Sequence, residues 1–224
     1  MIYSVAIDGP SGAGKSTVAK AVAKKLGISY IDTGAIYRTI GLYAYRKNVD
    51  ALDSEGVVAL LPEIEIEIGF EDGVQQMFLN KENVSGKIRE HIISHYASAV
   101  SAIPQVRAFL LELQRGFAKT QSVIMDGRDI GTVVLPCADV KIFLTASAEE
   151  RARRRCDELT AKGAEIDYAT VLRDIEERDY RDSHREIAPL RPAEDSVLID
   201  TSAMGIEEVI DNIIKIVAER VSDK

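Results

Sequence analysis

The chain has 224 residues, is 46% hydrophobic and carries a formal net charge of −8. That is enough apolar material for one core with insertions, and too acidic a balance for bulk binding to a nucleic acid polymer or an anionic membrane surface. No apolar run approaches the ~18 residues of a transmembrane span, the opening "MIYSVAIDG" lacks the basic start and long apolar stretch of a signal peptide, and Cys137 and Cys156 have no metal-type spacing. The expectation is a cytoplasmic protein and a monomer, with any anion site built from a local cluster of Arg and Lys.

In chain order, "YSVAID" (3–8) reads as a buried strand followed by a glycine-rich turn, and "KSTVAKAVAKKLG" (15–27) as a helix with Gly27 at its C-terminal cap. "ISYID" (28–32) is a second strand, with a helix after it to about Arg46. The segment 63–84 opens with strict period-two alternation, turns at Asp72-Gly73 and continues as "VQQMFLN", which predicts an antiparallel hairpin. Pro62 and Pro104 bound this insertion. Three further strands are expected at "SVIMD" (122–126), "VKIFLTA" (140–146) and "SVLID" (196–200), separated by helical patterns, and a last helix over about 205–221. Short continuous apolar strands alternating with helices predict a parallel sheet covered on both faces. "TAKGAEID" (160–167), between two Arg-rich helices, reads as a loop joining helix ends.

"GPSGAGKST" (9–17) fits G-x-x-x-x-G-K-[ST] from Gly9 to Ser16. Its setting, a buried-type strand before it and a helix after it, is the context a phosphate loop requires. Gly9, Pro10, Ser11, Gly12, Ala13 and Gly14 are the expected nucleotide-binding loop, whose backbone N–H groups can turn toward phosphate oxygens, and the helix N-terminus adds favourable partial charge. Lys15 reaches the terminal phosphates of a nucleoside triphosphate. The Ser16 hydroxyl suits Mg²⁺, and Thr17 completes the motif. No N-K-x-D guanine motif follows ("NKEN", 80–83, lacks the Asp), which argues against a GTPase.

Three stretches bear on a second substrate: "DTGAIYR" (32–38), "DGRDIG" (126–131) and "ERDYRDSHR" (177–185). The first two lie at carboxyl ends of strands, where open α/β sheets bind ligands. In the third, Arg178, Asp182 and Arg185 at i, i+4 and i+7 fall within about 60° on one helical face, with Arg181 at its margin and Asp179, Tyr180 and Ser183 turned away. Tyr168, Val171, Leu172 and Ile175 make an adjoining apolar stripe. From periodicity alone, Arg178 and Asp182 equally fit a solvated i, i+4 ion pair, and Arg107 a surface residue. His91 and His95 share i, i+4 spacing but have no third ligand nearby, so a structural role is expected.

In combination, "IDGPSGAGKST", "DTGAIYR", "VSGKIR" (84–89), "DGRDIGT", "VKIFL", "SAEERARRR" and "ERDYRDSHREIAPL", spread in order over nearly the whole chain, resemble the bacterial cytidylate kinase (CMP kinase) family. The resemblance implies the P-loop nucleoside-monophosphate kinase fold: a five-stranded parallel sheet in the order 2-3-1-4-5 flanked by helices, an antiparallel β-containing NMP-binding insert, and a short lid. The implied division is a single kinase domain with core 1–36, 104–150 and 183–224, insert 37–103 and lid 151–182. It further implies that Thr33, Arg107, Asp129 and Arg185, with Ser98 nearby, recognise cytosine. Arg178 and Asp182 would take the sugar hydroxyls, and Arg38, Arg128 and Lys15 the acceptor phosphate. Arg151 and Arg155, with Arg154 close by, would be lid arginines on ATP.

The implied reaction is ATP-dependent phosphorylation of CMP or dCMP with Mg²⁺, in pyrimidine nucleotide metabolism. The acceptor is already anionic and needs no general base, so Lys15, Arg128 and Arg38 would act by positioning and charge neutralisation. The alternatives are a P-loop phosphotransferase acting on UMP or on a small-molecule hydroxyl, with Asp32 or Asp126 as base, and an ATP-gated binding module without turnover.

Overall fold

The computed structural model describes residues 2–161, 163 and 166–222; the expected loop at 160–167 therefore lies partly outside the described residues. The chain forms two compact units, one made of the residues up to Ser29 together with those from Gln121 onward, the other of Tyr30–Thr120. The insert boundaries expected at 37 and 103 both fall within the second unit.

The first unit is built on strands β1 (Ser4–Asp8), β6 (Val123–Gly127), β7 (Val140–Thr145) and β8 (Val197–Asp200). With β2 (Ser29–Asp32) they give a five-stranded sheet in the order β2-β6-β1-β7-β8, which is the 2-3-1-4-5 order expected from the resemblance. β1 pairs in parallel on both sides, Ile7 opposite Asp126 and Ile142. A central parallel strand has both faces covered, so "VAID", "VIMD" and "VKIFL" are buried without alternation. The one cation in that run, Lys141, is buried but donates to the Pro136 carbonyl (2.6 Å) and the Asp195 carboxylate (2.8 Å). Helices α1 (Lys15–Leu26) and α8 (Ile206–Ser222) pack with Val18, Val22, Val209, Ile213 and Val217 inward, at the three-to-four spacing of an amphipathic helix. Gly27 caps α1 in the left-handed conformation, as expected.

Helices α6 (Ala148–Ala161) and α7 (Tyr168–His184) meet over Ala152, Val171 and Ile175. The expected apolar stripe is thus real for Val171 and Ile175, with Leu172 partly buried beside them, whereas Tyr168 is exposed.

The second unit contains α2 (Thr33–Arg46), α3 (Ser54–Leu60), α4 (His91–Val100), α5 (Pro104–Thr120) and a small sheet of β3 (Ile66–Glu71), β4 (Val74–Leu79) and β5 (Glu82–Asn83). β3 and β4 form the expected hairpin, and Asp72 (φ 50°) and Gly73 (φ 75°) are both left-handed, which is the turn whose twist matches the flanking strands. A second tight turn, Asn80 (φ 49°) and Lys81 (φ 70°), leads into β5. That two-residue strand and the helix α3, capped by the Asp53 carboxylate on the Gly56 N–H, have no counterpart in the sequence reading. Both are too short for a periodic signal.

Candidate active site

The loop between β1 and α1 is shaped for anions. Gly14, at the α1 N-cap (φ 84°), brings no side chain to occupy the helix's first N–H groups. Gly9 (φ 149°) lies so close to β7 that an added Cβ would sit 1.9 Å from the Leu144 carbonyl oxygen. Lys15 is buried, and its ammonium donates to the Pro10 carbonyl at 2.7 Å, folded back over the loop. Burial first, and then the positive charges of Arg128 and Arg178, hold its pKa well below the ordinary lysine range, while Asp126 and Asp8 oppose them. Ser16 donates its hydroxyl proton to the Asp126 carboxylate at 2.8 Å, joining the α1 N-terminus to the end of β6.

Beyond β6 the backbone makes one turn of π-helix, Ile130–Val134, closed by the Leu135 N–H on the Ile130 carbonyl at 2.7 Å. Such turns often accompany functional sites. It is anchored by Asp8, whose two carboxylate oxygens accept from the Ile130 and Gly131 N–H groups, each at 2.7 Å. Burial pushes the Asp8 carboxyl up to about 6 despite those two donors. Sequence reasoning missed Asp8; the available signal was an acid closing an otherwise apolar central strand.

Arg128 and Asp129 precede this turn. The Arg128 Nε donates to Asp182 at 2.9 Å, and an Arg185 Nη donates to Asp129 at 3.2 Å. Burial alone would raise the Asp182 carboxyl, but Arg128, Arg178 and Arg185 together hold it below the usual carboxylate range. For Arg178 and Asp182, burial of the carboxylate excludes a fully solvated ion pair. Their closest approach is 3.9 Å, so the intrahelical pair is secondary to the bond from Arg128. Two details of the helical reading are corrected. α7 ends at His184, so Arg185 takes its place from an extended backbone (ψ 142°) and not from the i+7 position. Asp179 does not turn away: it makes a 2.6 Å ion pair with Arg151. A helical wheel fails there because α6 covers part of the face it assigned to solvent.

Of the arginines expected in a lid, Arg151 is buried and reaches the loop by donating to the Ser11 carbonyl at 3.0 Å. Arg154 is tied to Glu150 and to Thr201, and Arg155 pairs with Glu158 one turn on.

The remaining expected residues lie in the second unit. Thr33 is buried at the start of α2, beside Asp32, which caps that helix through the Ala35 N–H (2.9 Å) and pairs with Arg38 at 2.6 Å. Arg107 is buried, contrary to its bare-sequence reading as a surface residue; it donates to the Ser101 carbonyl (3.1 Å) and lies 5.6 Å from the centre of the Tyr37 ring. The Ser98 carbonyl accepts from the Ser101 hydroxyl at 2.8 Å, so Ser98 and Arg107 share Ser101. His91 and His95 meet edge to face with ring centres 4.9 Å apart, and no cluster of three potential metal ligands occurs among the described residues. Nor is any helix among them long and apolar enough to cross a membrane.

A phosphate loop closing the central strand of a 2-3-1-4-5 parallel sheet, faced by an Arg–Asp cluster from the next strand end and a following helix, defines a P-loop phosphotransferase. A family model described as cytidylate kinase matches residues 5–219, so the chain belongs to the cytidylate kinase family. A cytidylate kinase of Caldicellulosiruptor bescii is 50% identical over 213 residues, 95% of this chain and 94% of that one. One from Carboxydothermus hydrogenoformans is 50% identical over 216 residues, 96% and 97% of the two chains. Another, from Streptococcus pneumoniae, is 48% identical over 93% and 94%. In fold, the chain is similar to an uncharacterised protein of Eubacterium ventriosum (TM-score 0.56, 14% identity, 98% and 99% coverage) and to a gluconokinase of Sinorhizobium meliloti (TM-score 0.50, 14% identity, 99% and 94% coverage).

Proposed function

We propose that the chain transfers the γ-phosphoryl group of ATP to the phosphate of CMP or dCMP, giving CDP or dCDP. The observation that carries this reading is the cluster on the first unit, where Lys15 is crowded by Arg128 and Arg178 while the Arg128–Asp182 and Arg185–Asp129 pairs stand beside it. The mutual repulsion of Lys15, Arg128 and Arg178 is relieved by a polyanion, and the paired carboxylates supply acceptors for hydroxyl and amine donors.

In this reading the loop N–H groups and Lys15 hold the donor phosphates, and Arg128 and Arg38 bind the acceptor phosphate. Asp182 and Arg178 take the sugar. Asp129 accepts from the exocyclic amine of cytosine, and Arg185, Arg107, Thr33 and Ser98 complete the base site. Uracil reverses the donor–acceptor pattern and leaves buried polar groups unpaired. The Ser16 hydroxyl with the Asp126 carboxylate is a small, hard oxygen set of the kind Mg²⁺ accepts alongside water and phosphates. Mg²⁺, when bound, neutralises phosphate charge. Asp32 and Asp126, the candidate bases of a hydroxyl kinase, are committed to Arg38 with the α2 cap and to Ser16. A monomer in the cytoplasm belongs to the same proposal, and is in keeping with two unbridged cysteines.

The test is a coupled assay with ATP and a panel of CMP, dCMP, UMP, AMP and dTMP. CMP and dCMP should lead by at least about 1.5 kcal/mol in transition-state stabilisation, roughly tenfold in kcat/KM. Equal or better turnover of UMP or AMP refutes the assignment, and no diphosphate from any acceptor favours a binding module.

A further inference from the structure

Arg151 is the most deeply buried arginine of α6, and its guanidinium contacts three groups of the protein. Its Nε donates to the Ala146 carbonyl (2.9 Å), and one Nη donates to the Ser11 carbonyl (3.0 Å) and forms an ion pair with Asp179 (2.6 Å). The crown of the phosphate loop is also seated on this residue sterically. A Cβ added at Gly12 would lie 3.1 Å from the Arg151 Cβ and 3.4 Å from its carbonyl oxygen. Asp179 comes from α7, the helix that also carries Arg178 and Asp182. A carboxylate on α7 thus fixes a guanidinium on α6, which fixes a carbonyl of the loop.

We propose that Asp179 and Arg151 form a strut that sets the conformation of the phosphate loop through the Ser11 carbonyl, both acting on ATP binding as positioning residues. The Ser11 carbonyl accepts from Arg151 and so points away from the anion side, which leaves the loop's N–H groups to face the phosphates. Losing either end of the strut frees the peptide to rotate, and ATP binding must then restore the order. This inference rests on the reading of the loop as the ATP site.

The experiment measures calorimetric affinity for the non-hydrolysable analogue AMP-PNP with Mg²⁺, without acceptor, for the parent chain, Asp179→Asn, Arg151→Met and the double variant. Each single variant should bind about tenfold more weakly and the double no worse than either, a coupling of about 1.4 kcal/mol. For Asp179→Asn, kcat at saturating ATP should stay within about threefold of the parent, a split that general destabilisation does not give. If Arg151→Met does not fold, Arg151→Lys serves. It keeps a charge for a phosphate but not the bridging geometry, so the strut predicts the same loss as for Asp179→Asn. An unchanged affinity in Asp179→Asn, multiplicative losses of about a hundredfold in the double variant, or a near-parent Arg151→Lys would overturn the strut. No binding of AMP-PNP by the parent would instead overturn the ATP reading, and the strut with it.

Discussion

Asp182→Ala tests the proposed division between an acceptor clamp and a donor site. The Asp182 side chain is 7% exposed and the Arg128 side chain 18%, with 2.9 Å between Nε and carboxylate. Removing one partner of a buried pair typically costs ~3–5 kcal/mol, because the other charge stays buried. Arg128 also feels Asp126 and Asp179, so the stability loss should fall at the lower end, about 3 kcal/mol. On the proposed assignment the acceptor loses a charged partner for its sugar hydroxyls, worth ~1.5–3 kcal/mol, or roughly 10- to 150-fold in KM for CMP. kcat should fall as well, since Arg128 loses the bond that aims it. Asp182→Asn keeps the shape and an acceptor for Arg128, so it should lie between the parent and the alanine variant. None of the hydrogen bonds of Asp182 reaches the phosphate loop, so affinity for an ATP analogue should stay within about twofold. Steady-state kinetics with CMP varied, calorimetry with the analogue and thermal melting read the three quantities separately. Parallel loss of CMP and ATP binding would refute the division of labour.

Two further predictions test the scaffold. Asp8 retains its proton to about pH 6 in the folded chain but ionises near its ordinary value of 3.8 when unfolded. Its contribution is therefore full in acid and declines as pH rises from about 4 to about 6, by about 3 kcal/mol. Asp8→Asn lacks that decline, so its stability deficit against the parent should shrink by about this amount between pH 4 and pH 7 in denaturant titrations; a constant deficit contradicts the assignment. Asp182, with a lowered pKa, works in the opposite sense: its stabilisation is present at neutral pH and lost in acid. Gly9→Ala should cost at least about 3 kcal/mol, lowering Tm by roughly 6–12 °C, because the new methyl meets the β7 backbone. Gly14→Ala, also at positive φ but with nothing within 4 Å of the added Cβ, should cost only ~1–2 kcal/mol. Equal melting shifts for the two would rule out the close approach to Leu144 as the cause.

The sequence by itself determined the elements whose cause is local. Continuous apolar runs that β1, β6 and β7 can only bury on both faces, the Asp72-Gly73 turn, the Gly27 cap and the phosphate loop are all fixed by a few adjacent residues. The loop was also legible as an anion cradle, because glycine spacing, a lysine and a helix start are sufficient for one. Tertiary structure decided what depends on neighbours distant in the chain. Arg107 is buried rather than exposed because Ser101 and Tyr37 receive its guanidinium. Asp182 answers to Arg128, 54 residues away, in preference to Arg178 one turn away. Asp179 leaves the solvent face because α6 brings Arg151 against it, and Asp8 turns from a strand-end acid into the anchor of the π-helical turn. A periodic pattern tells which face of a helix is apolar, but the partner of a charge is chosen by geometry between elements. In a buried setting the nearest charge through space, not the nearest in sequence, sets the energy.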